Sequence, residues 1–132
     1  MRRFKSILLY VMAAFYVFAG YSHLANPAFF LAIMPPDLPE PGLLNVVSGL
    51  AEIVLGVFLL DRRTRPFAAW GVIALLIAVF PANVYAAMAN VGPEGPGTGP
   101  GLANWVRLPF QVPLIAWAWW YTLPEAQDES SA

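Results

Sequence analysis

The sequence predicts an all-α integral membrane protein, a four-helix bundle with a short apolar interfacial helix after the first span. Three observations lead there. Of 132 residues, 59% are hydrophobic and only 11% are charged, too little polar surface for a water-soluble domain of this size. Four stretches, residues 6–24, 43–60, 66–89 and 102–122, each approach the roughly 20 apolar residues that a helix needs to cross a hydrocarbon core. Six of the seven basic residues fall in two clusters, Arg2, Arg3 and Lys5, then Arg62, Arg63 and Arg65. Arg107 stands apart, inside the last apolar stretch.

The first stretch follows the basic "MRRFK", as a signal peptide would. Its apolar run is too long for a signal h-region and no small-x-small cleavage site follows, so it is read as a span. Asn26 and Pro27 are then placed to cap and open a short helix with an apolar body, "AFFLAIM". Such a segment belongs at the membrane interface or over the end of the bundle, where Phe29 to Met34 would form a lid. "PPDLPEPG" is expected to return extended, because each proline fixes its own φ and keeps the preceding residue out of the helical region.

Between the second and third spans, "DRRTR" is short enough to make them antiparallel neighbours. "VGPEGPGTGPG" reads as a Gly/Pro linker with nothing to pack. Positive charge prefers the cytoplasmic side, so both termini are expected inside a bacterial inner membrane. Residues 1–123 form the membrane domain, and 124–132 a disordered acidic cytoplasmic tail.

Placed at about 100° per residue, the polar residues of each span share one face. Asn45, Ser48, Gly49, Glu52 and Gly56 align on the second; Asn104, Arg107, Gln111, Ala118 and Tyr121 on the fourth; Asn83, Ala86, Ala87 and Asn90 on the third; Tyr16, Ala19, Gly20 and His23 on the first. Counted at about 1.5 Å per residue, His23, Asn45, Ser48, Glu52, Asn83, Arg107 and Gln111 fall in one layer in the outer half of the bundle. These seven are the candidate ligand-binding residues. Trp117, Trp119, Trp120 and Tyr121 read as an inner aromatic belt.

Glu52 is the only acid and Arg107 the only base deep within these spans. An unpaired charge there costs about 3 kcal/mol on insertion scales, so mutual neutralisation of Glu52 and Arg107 is the economical expectation. Snorkelling of Arg107 to the head groups is the other solution. Purely structural roles stand beside binding ones for the rest: an ion pair for Glu52, interhelical hydrogen bonds for Asn45, Asn83 and Gln111, an interfacial setting for His23. Pro81, Pro109 and Pro113 each remove a backbone hydrogen bond near the polar layer, which favours a pocket there over a tightly closed core.

The combination of His23, Asn26 and Pro27 after the first span, Ser48, Gly49 and Glu52 in the second, Pro81 and Asn83 in the third, and Arg107, Pro109 and Gln111 in the fourth resembles the DoxX-like family of small bacterial membrane proteins. The resemblance covers nearly the whole chain. It implies a four-helix membrane fold and a role beside quinone-linked oxidation, oxidative-stress enzymes, maturation of an amine dehydrogenase or receptor assembly. Members that depend on thiol chemistry are no guide, since there is no cysteine.

Two functional classes follow. In the first, the polar layer binds the head of a quinone- or lipid-like amphiphile, with the chain serving as an accessory subunit of a membrane redox system. In the second, a non-enzymatic assembly factor or chaperone uses the same layer to hold a partner transmembrane helix. The absence of cysteine and the single histidine argue against a protein-only metal or haem centre. No nucleophile with an adjacent base, phosphate loop or intrinsic redox centre is visible, so independent catalysis is not expected.

Overall fold

A computed structural model describes residues 2–92, 94 and 96–123. It contains five helices: α1 (Arg2–Ala25), α2 (Pro27–Ile33), α3 (Pro41–Phe58), α4 (Arg65–Met88) and α5 (Leu102–Trp120). Among the described residues there is no strand. The tail expected at 124–132 lies outside the described residues. By length and composition, α1, α3 and α4 could each cross a membrane. α5 is long enough, but Asn104, Arg107, Gln111, two prolines and several aromatic residues dilute its hydropathy.

The helices associate as two close pairs, α1 with α3 and α4 with α5. Glycine makes the first pair possible. A Cβ added at Gly49 would lie 2.8 Å from His23 Cβ and 2.9 Å from the Gly20 carbonyl oxygen, and one added at Gly56 would lie 2.9 Å from the Ala13 carbonyl oxygen. Only backbone without a side chain lets the two helices approach so closely.

α3 passes to α4 through a turn that satisfies the end of α3. The Thr64 hydroxyl donates to the Phe58 carbonyl at 2.7 Å, Arg65 Nε donates to Leu59 O at 2.7 Å, and Arg65 Nη2 to Leu60 O at 3.2 Å. Arg65 is therefore a buried cap on otherwise orphaned helix-end carbonyls, a role that its place in a basic cluster did not reveal.

The apolar core sits toward this basic end, where Leu9 and Met12 of α1, Leu59, Val72 and Leu76 meet Ala118 and Tyr121. Tyr121 departs from the expected aromatic belt. It is 2% exposed, donates to the Lys5 carbonyl at 2.9 Å and accepts from Trp117 Nε1 at 3.2 Å, clasping α5 to the start of α1. Lys5 Nζ stands 5.3 Å above the Trp120 ring. Elsewhere, large apolar side chains such as Phe15, Phe18, Val54, Phe67, Ile77 and Val112 cover the outer faces of the long helices.

Three local expectations need correction. Asn26 makes no side-chain cap for α2; its backbone N–H closes α1 by donating to Ser22 O at 2.9 Å. The 34–40 segment is not extended throughout: Leu38 N–H reaches back to Pro35 O, and Glu40 takes a left-handed conformation (φ 49°) before Pro41 opens α3. The 89–101 connection is also organised rather than loose. Asn90 (φ 46°) occupies the left-handed position after the end of α4, with Val91 N–H returning to Ala86 O and Asn90 N–H to Ala87 O, the paired bonds of a Schellman ending. Its side chain then accepts from Gly101 N–H at 2.8 Å and donates to Gly99 O at 3.3 Å.

Candidate functional site

The close α1–α3 pairing brings three of the candidate residues together. His23 Nδ1 lies 2.7 Å from Asn45 Oδ1, and Asn45 Nδ2 donates to the His23 carbonyl at 2.8 Å. The second bond identifies the amide nitrogen of Asn45, so the oxygen must accept and His23 Nδ1 must carry a proton. The other ring nitrogen, Nε2, faces Glu52 Oε2 at 3.4 Å. A proton held in that contact would leave it without net charge, as imidazolium and carboxylate or as neutral imidazole and carboxylic acid.

Phe30 of α2 covers this cluster. Its ring stacks on His23 with centroids 3.7 Å apart and planes 20° from parallel. The His23–Glu52 contact falls short of hydrogen-bond geometry, leaving the buried Oε2 atom without a donor among the described residues. The Tyr16 hydroxyl, one turn of α1 beyond Gly20 and within electrostatic range of Glu52, is also buried without a partner. Ser48 is half-buried on the same face of α3 between Asn45 and Glu52.

Arg107 is not part of this cluster, which corrects the expected Glu52–Arg107 pair. Its exposed side chain donates from Nη1 to Asn104 Oδ1 at 3.2 Å. The physical reason is helix pairing: α5 packs on α4, whereas Glu52 faces α1. Asn104 itself is 2% exposed, and its Nδ2 is directed toward Val91 O (3.1 Å), Asn90 Oδ1 (3.3 Å) and Ala86 O (3.4 Å). Gln111 is used differently again, donating to Leu76 O at 2.7 Å while its own Oε1 remains buried and unpartnered. Asn83 is half-buried and makes no side-chain hydrogen bond among the described residues.

The seven candidates thus occupy three separate settings and a lone position, not one shared chamber. Two clefts flank α2 instead. One, of about 420 Å³, lies between Phe29 and Ile33 of α2, residues 91–92 and 98–100, and Asn104 and Arg107. The other, about 400 Å³, runs beside Phe18, Tyr21 and Ser22 of α1 under Phe29 and Phe30. Asn90, Asn104, Phe30 and Tyr16 are the structural participants that the candidate set omitted. Asn90 could have been found from its place directly after an apolar helix, where asparagine tolerates left-handed backbone, and Asn104 from its position one turn before Arg107.

Among known families, the chain matches the one described as Domain of unknown function (DUF8561) over residues 12–122. The chain belongs to this family. The match overturns the DoxX-like resemblance, whose short polar motifs separated by interchangeable apolar residues do not specify a family. Comparison with curated proteins and with solved structures found no match. Membership extends from within α1 to the residue after Tyr121, so it includes His23, Asn45, Glu52, Arg107 and Gln111.

Proposed function

We propose that this protein is a four-span membrane protein that binds the polar head of a lipid-like amphiphile at the His23–Asn45–Glu52 cluster, beneath α2. The observation that carries the reading is the buried Glu52 oxygen without a hydrogen-bond donor, adjoining a histidine and covered by one aromatic ring. A head group bearing a hydroxyl would donate to that oxygen, and the cleft along Phe18 and Tyr21 offers an apolar path for its tail. A quinone head was expected from the DoxX-like resemblance and from Arg107 and Glu52 acting together; the family match removes the first and the separation of the two residues the second, so the ligand class here is the hydroxyl-bearing amphiphile.

The fourth span in this reading is α5. Its polar residues Asn104 and Gln111 are buried against α4, while Val106, Phe110, Val112 and Trp119 face outward. The basic end, with Arg2, Arg3, Lys5, Arg62 and Arg63, faces the cytoplasm of a bacterial inner membrane, and both termini lie there. Reporter fusions after Phe30 and after Arg63 should report opposite sides; the same side for both would defeat this topology.

Native mass spectrometry and solvent extraction of protein purified from its own membranes test the binding reading. A stoichiometric amphiphile that is retained by the wild type and depleted by Glu52→Gln supports it. Ligand-free protein that instead recovers a membrane partner under gentle detergent replaces it with the assembly-factor reading.

A further inference from the structure

We infer a second, separate site: the cleft beside Arg107 binds the head group of an anionic phospholipid, with its acyl chain against the apolar walls. The cleft holds about 420 Å³, and its described lining contains one guanidinium and no carboxylate. Phe29, Ile33, Val91 and Pro100 supply apolar surface, whereas Asn104 and Arg107 supply the polar edge. This combination of an apolar wall with a few convergent polar groups is the usual form of a small-molecule site.

Arg107 is oriented before any ligand arrives. The Asn104 amide nitrogen is committed to three surrounding oxygens, which turns its Oδ1 toward Arg107 Nη1. Asn104 is almost wholly buried, so this support cannot swing freely. A guanidinium has five N–H donors in a planar fork. Among the described residues only Asn104 engages one of them, which leaves the others for oxygen acceptors. A phosphate diester satisfies such donors, whereas an added choline cation would meet only like charge.

The site shares no polar residue with the His23–Glu52 cluster, so it can stand or fall independently. The probes are phosphatidylglycerol and phosphatidylcholine of identical acyl chains, titrated into delipidated protein and read by native mass spectrometry. Wild-type protein should retain phosphatidylglycerol about tenfold more strongly, and Arg107→Gln should remove that preference. Arg107→Lys should keep part of it, since charge remains but the fork is lost. Ile33→Trp, which fills the cleft from α2 and touches neither Asn104 nor its partners, should also lower retention, with a thermal melt verifying each variant's fold.

Inorganic phosphate at millimolar concentration should not displace the lipid, because it gains nothing from the apolar walls. Equal retention of the two lipids by the wild type would overturn the inference. So would undiminished preference in Arg107→Gln, undiminished retention in Ile33→Trp, or displacement by phosphate alone, which would make the site one for free anions.

Discussion

The α1–α3 pair and the α4–α5 pair solve the same problem with different chemistry. In α1–α3, glycines bring the backbones together and an ionisable pair meets across the interface, His23 against Glu52. In α4–α5, there is no ion pair among the described residues; amides do the joining, Asn104 to the end of α4 and Gln111 to Leu76 O. In the proposed membrane setting, the hydrophobic effect offers little preference between helices, so close packing and hydrogen bonds must select partners. The comparison teaches that a charge at a given depth is answered by the helix its own face packs against. Depth alone does not identify its partner.

The largest expected effect would come from breaking the close approach. Gly49→Leu should destabilise the protein by about 3 kcal/mol in detergent unfolding followed by helical circular dichroism, as overpacking at a rigid contact does. Gly42→Leu is the control, since an added Cβ there meets nothing within 4 Å. Equal effects at the two positions would deny α1–α3 its glycine contact.

Removing His23 comes next. His23→Ala leaves Glu52 buried beside no base and should cost about 3 kcal/mol, with Glu52→Gln as a second change recovering part of the loss. Glu52→Gln alone should cost less than about 1 kcal/mol, because a glutamine amide can donate to neutral His23 Nε2. A Glu52→Gln loss as large as that of His23→Ala would contradict this account of the His23–Glu52 contact.

On the other pair, Asn104→Ala should cost about 2 kcal/mol by stripping a donor from the buried Val91 and Ala86 carbonyls. The smallest effect belongs to Arg107→Gln. Its exposed side chain should change stability by no more than about 0.5 kcal/mol, additively with Glu52→Gln. A strong coupling between those two substitutions would restore the pairing that the helix arrangement rejects.

Much of the fold could be read from the sequence because its signals are local. Apolar run length located the four long helices, and Pro27 marked the start of α2. The small faces Gly20, Gly49 and Gly56 were visible from periodicity, although periodicity alone did not say that Gly20 meets Gly49 and Gly56 meets Ala13. The site was less accessible for the same reason. Glu52 and Arg107 were each recognised, but their partners depend on which helices pair and how each is rotated, a tertiary choice that no local pattern encodes. Asn90 shows an intermediate case. Its left-handed ending of α4 follows from local backbone preference, whereas its bond to Gly101 depends on the chain returning past it.

The central claim is that Glu52 is answered by His23, held in one tautomer by Asn45. His23 is the chain's single histidine, so selective ¹⁵N-histidine labelling gives one unambiguous imidazole for NMR. The account predicts a protonated Nδ1, an Nε2 resonance that shifts on Glu52→Gln but not on Arg107→Gln, and loss of the fixed tautomer in Asn45→Ala. An Nε2 resonance indifferent to Glu52 and responsive to Arg107 would contradict it.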